Sequence, residues 1–220
     1  MKNLKKVTSL ILTGMLCVAL AACGKAKEEN NAVITPDNEN TTAVGQETSS
    51  VQEGAEGGYK NDVAVADIEA AVMQALGENY WPQAEFDSLE SLEITSDMYE
   101  EFLYKVPMIN VNVDTLIVIK AVEGKEAEVE EKLNQFRDRN INELMQYPMN
   151  LPKIQCSQVQ VFGNYVVFVQ FGADEASKAI QAAEAEGKNL TEDELAKLEM
   201  DVINEQNEIA LEAIKNVLAK

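Results

Sequence analysis

No histidine occurs in this chain of 220 residues. Its absence removes the imidazole base of Ser-His-Asp and Cys-His machinery, the usual zinc ligands and the Glu-x-x-His pattern of di-iron bundles. Tryptophan occurs once and cysteine three times. Positive charge is scarce as well: 18 Lys and Arg stand against 38 Asp and Glu, a formal net charge of −20. A field of that sign repels nucleic acid and anionic headgroups, so no nucleic-acid partner is expected. It suits a solvated acidic surface. Without histidine or a cysteine cluster, no metal and no cofactor is expected.

What is present begins with Lys2, Lys5 and Lys6, followed by an apolar run from Val7 to Ala22. That run has 16 residues and contains Thr8, Ser9 and Thr13, short of the roughly 20 apolar residues that span a bilayer. A charged start, a short apolar core and small residues at its end read as a secretory signal peptide over 1–22. The run closes on Leu20-Ala21-Ala22-Cys23, with Gly24 behind it. This resembles the lipobox of bacterial lipoproteins. The resemblance implies cleavage between Ala22 and Cys23 and a diacylglyceryl group on the Cys23 sulfur. Two acyl chains give stable anchoring, so the expected place is the cell membrane, lipid-anchored, on its outer, extracytoplasmic face. Cleavage removes Cys17 and lipidation occupies Cys23, which leaves Cys156 alone and excludes an intramolecular disulfide. Losing the three lysines leaves 15 basic against 38 acidic residues, a balance of −23.

Residues 23–60 read as a flexible tether. From 24 to 60 only 9 of 37 residues are apolar, and no aromatic precedes Tyr59. Such composition buries too little surface to offset the entropy of ordering. A flexible coil of this length would reach about 30–35 Å. Residues 61–220 are long enough for one globular domain.

Within that domain, Val65, Ile68, Val72 and Leu76 recur on one face of a helix over Val63 to Leu76, which Gly77 stops. Trp81 beside Pro82 reads as a core plug. Thr95 or Ser96 would cap a short helix carrying Met98, Phe102 and Leu103. Leu116 to Val122, rich in β-branched residues, reads as a strand after an extended Ile109 to Val113. A helix from Lys125 to Gln146 carries the stripe Val129, Leu133, Phe136, Ile141 and Leu144. Pro148 and Pro152 end it. Gln155 to Phe162 and Tyr165 to Phe171 form a hairpin about Gly163-Asn164. The second of these strands is apolar on both faces, which places it in the middle of a covered sheet. Asp174 to Glu186 is helical by propensity, with Ile180 as its only large apolar residue. Thr191 and Glu194 make a capping box for a last helix to Leu218. The expected fold is α+β: a three-stranded antiparallel sheet of split β-α-β type, order 1-3-2, packed with helices.

The stretches Val111-Asn112-Val113-Asp114-Thr115-Leu116-Ile117, with Lys120 and Gly124, Gln146-Tyr147-Pro148-Met149-Asn150, Gly163-Asn164-Tyr165-Val166-Val167-Phe168 and Asn207-Glu208-Ile209-Ala210 hold together in order. They resemble an uncharacterised-domain family of lipoproteins from Gram-positive anaerobic bacteria. The resemblance implies a lipoprotein with a small α+β domain, and brings no catalytic residue with it.

Single candidates are weak. Asn110-x-Asn112-x-Asp114 resembles the start of a calcium loop, but Thr115 and Ala121 replace the Gly and Glu such a loop needs. Thirty-eight acids make chance carboxylate pairs inevitable. Cys156 has no histidine to activate it, and Lys153 is its only basic neighbour in sequence. No catalytic residue is assigned. The loop Tyr147, Pro148, Met149 and Asn150 is the candidate binding surface, since loops on a rigid scaffold carry function more often than cores do. The function expected is a membrane-anchored, non-catalytic binding or assembly module of the envelope, with an envelope protein or glycan as partner. A carboxylate-dependent cell-wall hydrolase and a transporter's solute-binding component stand as alternatives.

Overall fold

The computed structural model describes residues 58–109, 111–142 and 147–220. The signal peptide, the Ala22–Cys23 cleavage site and nearly all of the tether lie outside the described residues, as do Asn110 and residues 143–146 of the expected long helix.

The chain is α+β, with an open antiparallel sheet of five strands rather than the expected three. The strands are β1 (Ala84–Glu85), β2 (Tyr99–Val106), β3 (Thr115–Ala121), β4 (Gln158–Phe162) and β5 (Tyr165–Gln170). Their order across the sheet is β1-β2-β3-β5-β4. β5 therefore lies between β3 and β4, and all six of its residues are buried.

The added strand that matters is β2, where a capped helix was expected. Thr95 makes no cap: its hydroxyl donates to Asp97 Oδ1 instead. From Phe102 onward the chain alternates. Phe102, Tyr104 and Val106 pack on one side of the sheet. Leu103 joins the core on the other, where Lys105 pairs with Glu69. A register shift between Tyr99 and Glu101 breaks the period at the strand's start and hides it from a pattern search.

One face of the sheet meets α1 (Val65–Leu76) and α5 (Glu192–Leu218), which pack on each other. Leu116, Val118, Val167 and Val169 pack there against Ile68, Val72, Leu211 and Ile214. The expected stripe of α1 is the buried one. The capping box of α5 is also in place: Thr191 Oγ1 accepts from the Glu194 N–H, and Glu194 Oε2 from the Thr191 N–H. The other face meets α2 (Glu126–Asn142), with Val129 and Leu133 fully buried against Ile117, Ile119 and Phe168. Trp81 is half-buried beside the buried Pro82.

Proline did not hold the segment after α2 to a loop. A 3-10 turn over Pro148–Asn150 leads into α3 (Leu151–Gln155). Pro152 sits in the first turn, where its missing N–H has no helical partner to lose. The following strand therefore starts at Gln158, not Gln155. α4 (Ala173–Ala185) leans on α5 through small residues, Ala176 and Ala183 being buried. Gly172, at φ +115°, precedes it. A Cβ there would lie 2.9 Å from Ile203 Cα, so only glycine lets the two elements approach. No helix among the described residues is long and apolar enough to cross a membrane.

Candidate functional site

The stripe of α2 runs Val129, Leu133, Phe136 and then Asn140, one turn on, where another large apolar residue would continue it. Beyond Phe136 the sheet face is therefore left uncovered. A pocket of about 290 Å³ opens there, between the end of α2, the ends of β2, β3 and β5, and the segment 107–113. The rings of Tyr104, Phe136 and Phe168 line it, with Val106, Ile109 and Ile154. Its polar lining is Asn112, Thr115, Asn140 and Gln170.

Asn112, on the pocket floor, also joins a buried ion pair. Lys153 Nζ donates to Asp114 Oδ1 at 2.8 Å and to Asn112 Oδ1 at 2.9 Å. Both charged side chains are almost wholly buried, at 3 % and 1 % exposure. Asn112 Oδ1 also accepts from the Asp114 N–H at 2.8 Å, a side-chain turn that folds the segment back on itself. Lys153 is the last-turn cation of α3, so the pair fastens the 107–114 segment to that helix. The end of α3 and the residues after it are in turn held from α2: Arg137 Nε donates to Ser157 O at 2.7 Å and Nη2 to Gln155 O at 3.2 Å.

Two forces act on the Asp114 carboxyl. Burial pushes its pKa up and the Lys153 ammonium pulls it down, and burial is the larger. The short ion pair by itself would suggest a depressed pKa. The upward direction stands because Oδ2 of the same carboxylate has no partner among the described residues, and an ion stripped of water on one side is poorly compensated. Burial likewise raises Glu199, against the pull of Lys153.

Gln170 completes the floor. It is opposite Thr115 across the β3–β5 ladder, and its Nε2 donates to the Val113 carbonyl. A carbonyl only accepts, so the NH₂ end must face it and Oε1 must face away. Gln170 is 4 % exposed and Oε1 has no partner among the described residues. A buried acceptor left unpaired costs about 1–3 kcal/mol. Gln170 lines the pocket, but this oxygen is shielded from solvent.

Around this floor the surface is apolar. Of nine exposed large apolar side chains among the described residues, six belong to the two segments that the Lys153–Asn112 contact joins. They are Met108, Ile109, Val111, Tyr147, Met149 and Leu151. Pro107 to Val113 and Tyr147 to Pro152 contain no charged residue, in a chain where 25 % are charged.

Tyr147, Pro148 and Met149 are exposed, Tyr147 and Met149 at 59 % and 68 %, while Asn150 is buried at 3 %. The first three belong to this exposed surface, of whose six large apolar side chains Ile109 lines the pocket, and Asn150 Nδ2 has no partner among the described residues. Asn112, Asp114, Lys153 and Gln170 were not singled out together by the sequence. The oxygens that resemble calcium ligands, on Asn112 and Asp114, hold the Lys153 ammonium instead. Among the described residues no group of three or more acidic or cysteine side chains could hold a metal ion. Cys156 is buried and its thiol is pushed up to about 11, mainly by burial, so it is not poised as a nucleophile.

A second concavity of about 840 Å³ is an open groove between α1 and α5, lined by Ala71, Ala75, Ile209, Ala213 and several glutamates. It is larger, and its polar lining is Gln74, Asn216 and the glutamates.

Residues 85–170 match the family model for a domain of unknown function (DUF4358). No curated protein and no solved structure matches the chain. The DUF4358 match runs from the end of β1 to the end of β5, so it contains Asn112, Asp114, Lys153 and Gln170. Helices α1, α4 and α5 lie outside it. The pocket belongs to the DUF4358 segment, and α1 and α5 cover that segment's second sheet face.

Proposed function

We propose that this protein is a membrane-anchored extracytoplasmic binding module, held by lipid on Cys23, that recognises its partner through the pocket and its uncharged rim. The observation that supports binding is an exposed, uncharged apolar surface beside a pocket lined by three aromatic rings and the polar side chains of Asn112, Thr115, Asn140 and Gln170. Exposed apolar patches with convergent polar groups mark interaction sites. The anchor is supported by the Leu20-Ala21-Ala22-Cys23 sequence behind a short apolar run. In this reading the domain is presented on a tether while the acidic remainder of its surface stays solvated. The hydrolase alternative needs two facing acids with one desolvated. The desolvated acid here is Asp114, and its Oδ1 is engaged by Lys153.

Photo-crosslinking in native membranes tests the reading. A photoreactive residue at Ile109 or Met149 should give a discrete adduct. The same residue at Met73, also exposed but on α1, should not. Equal labelling from all three positions, or none, would refute the rim as the binding surface.

A further inference from the structure

We infer that the outer edge of β4 pairs with β4 of a second copy of this chain, antiparallel about a two-fold axis at Gln160, so that two five-stranded sheets join into one. This edge lies apart from the pocket, whose lining includes no residue of β4. The sheet is open, and its two edges differ. β1 is two residues long, and its Glu85 pairs with Lys105. Shortness and charge are usual ways of keeping an edge from pairing. β4 runs Gln158-Val159-Gln160-Val161-Phe162, with neither proline nor charge. Which of its backbone groups face outward follows from the ladder. The Ala121 N–H donates to the Asn164 carbonyl, so Lys120 and Tyr165 form a non-hydrogen-bonded pair between β3 and β5. The N–H and C=O of Tyr165 therefore point to β4 and bond Phe162, its partner there. Direction alternates along a strand, so Val159 and Val161 turn theirs away from the sheet. Among the described residues no turn or loop backbone group bonds them.

These two donors and two acceptors fit a second copy. Val159 of one copy opposite Val161 of the other, and the reverse, closes four hydrogen bonds and sets the two Gln160 residues face to face. The side chains of Val159 and Val161, on the α2 side of the sheet, then meet across the axis. Charge follows the same axis. At the Gln158 end α5 offers an acid, Glu208, which accepts from Gln158 Nε2 at 3.1 Å. At the Phe162 end stand Lys60 and Lys220: the Tyr59 ring packs 5.5 Å from that of Phe162, and the Lys220 N–H donates to the Gly58 carbonyl. Antiparallel pairing brings the acidic end of each copy to the basic end of the other. The two Gln158 ends are four residues of strand apart, ~14 Å, beyond the Debye length of about 8 Å at physiological salt. A single strand pair buries less than the roughly 1,200 Å² of stable complexes, so the dimer is weak and concentration-dependent. The net charge of −20 weakens it further.

The test is disulfide trapping of the full chain in native membranes, read by non-reducing electrophoresis and mass spectrometry. Non-hydrogen-bonded antiparallel partners stand about 4.5 Å apart at Cα, within the span of a disulfide. Under mild oxidation Gln160→Cys should give covalent dimer at about tenfold the wild-type yield or more, the native cysteines setting the background. Gln158→Cys, displaced along the strand, should give no more than wild type. Adding Val161→Pro to Gln160→Cys removes an outward N–H and no ladder bond, and should cut the yield about tenfold. Thermal denaturation checks that this double variant folds; where it does not, the comparison of Gln160→Cys with Gln158→Cys decides alone. A Gln160→Cys yield no higher than that of wild type or of Gln158→Cys would overturn the inference, as would a yield unmoved by Val161→Pro in folded protein. A Gln160→Cys adduct with a polypeptide of another mass would make a foreign strand the occupant and overturn the second copy.

Discussion

Replacing Lys153 with Met is the most informative single change. It removes the only cation bound to Asp114 and leaves a carboxyl at 1 % exposure with no counter-charge among the described residues. Breaking a buried pair from one side costs about 3–5 kcal/mol. That cost appears as a further rise in the Asp114 pKa, because the ammonium's pull no longer opposes burial. The sign follows from linkage. A carboxyl whose folded pKa is raised above its unfolded value contributes stability fully present below the unfolded pKa, near ~3.9. That contribution is lost as pH rises through the folded pKa. In wild-type protein burial already raises Asp114. Without Lys153 the window widens upward. Glu199, raised by burial and held down by Lys153, shifts the same way.

Urea denaturation of Lys153→Met between pH 5 and 8 should therefore show a penalty largest at pH 8. It should shrink on acidification, by up to about 1.4 kcal/mol per pH unit, once Asp114 begins to protonate in the folded state. Adding Asp114→Asn should restore most of the loss at pH 8, because it removes the uncompensated charge. Asp114→Asn alone should cost less than Lys153→Met: the ammonium keeps Asn112 Oδ1, and burial already disfavours the carboxylate. A penalty flat across pH, or a double variant as weak as Lys153→Met, would refute the account of Asp114 as a desolvated carboxylate held by one cation.

Replacing Cys23 with Ser should abolish uptake of labelled fatty acid and release the protein from membranes; a wild-type chain that takes up no label would refute the anchor. Asn207 is fully buried, accepts from the Phe171 N–H and donates to the Cys156 carbonyl. Asn207→Ala should cost about 2–5 kcal/mol in chemical denaturation, because two backbone groups lose their partners. Gly172→Ala should cost about 1–3 kcal/mol by the same assay, from its left-handed backbone and the 2.9 Å approach to Ile203. Cys156, with its thiol pushed up to about 11, should resist iodoacetamide at pH 8 in folded protein and react once denatured, as peptide mass mapping would show.

Local signals carried the scaffold. The stripe of α1 and the capping box of α5 are short-range patterns, and the structure contains both. The two-sided apolar run at 165–170 placed β5 inside the sheet, because only a covered strand has no polar face. Where a local rule met an exception, the pattern misled. The irregular register at Tyr99 broke the alternation of β2, so its aromatics read as a helix. Pro152, which ends helices when interior, begins α3 because it stands in the first turn.

The pocket was illegible for a different reason: its parts are distant in sequence. Lys153 lies 41 residues from Asn112 and 39 from Asp114, so no spacing rule joins them. The polar end of β5, Gln170, closes a run that otherwise reads as core. Asn140 could have been noticed as the residue that interrupts the α2 stripe. One signal was local and went unused. The uncharged segments 107–113 and 147–152 stand out against a chain with 38 acids. An acidic protein kept soluble by its surface charge has no folding reason to clear two exposed segments of it. Exposed Met, Ile, Val, Tyr and Leu at those positions add no core burial, which is what supports the proposed binding surface. That argument needs no site geometry, and the Lys153 contact then explains why the two segments form one surface.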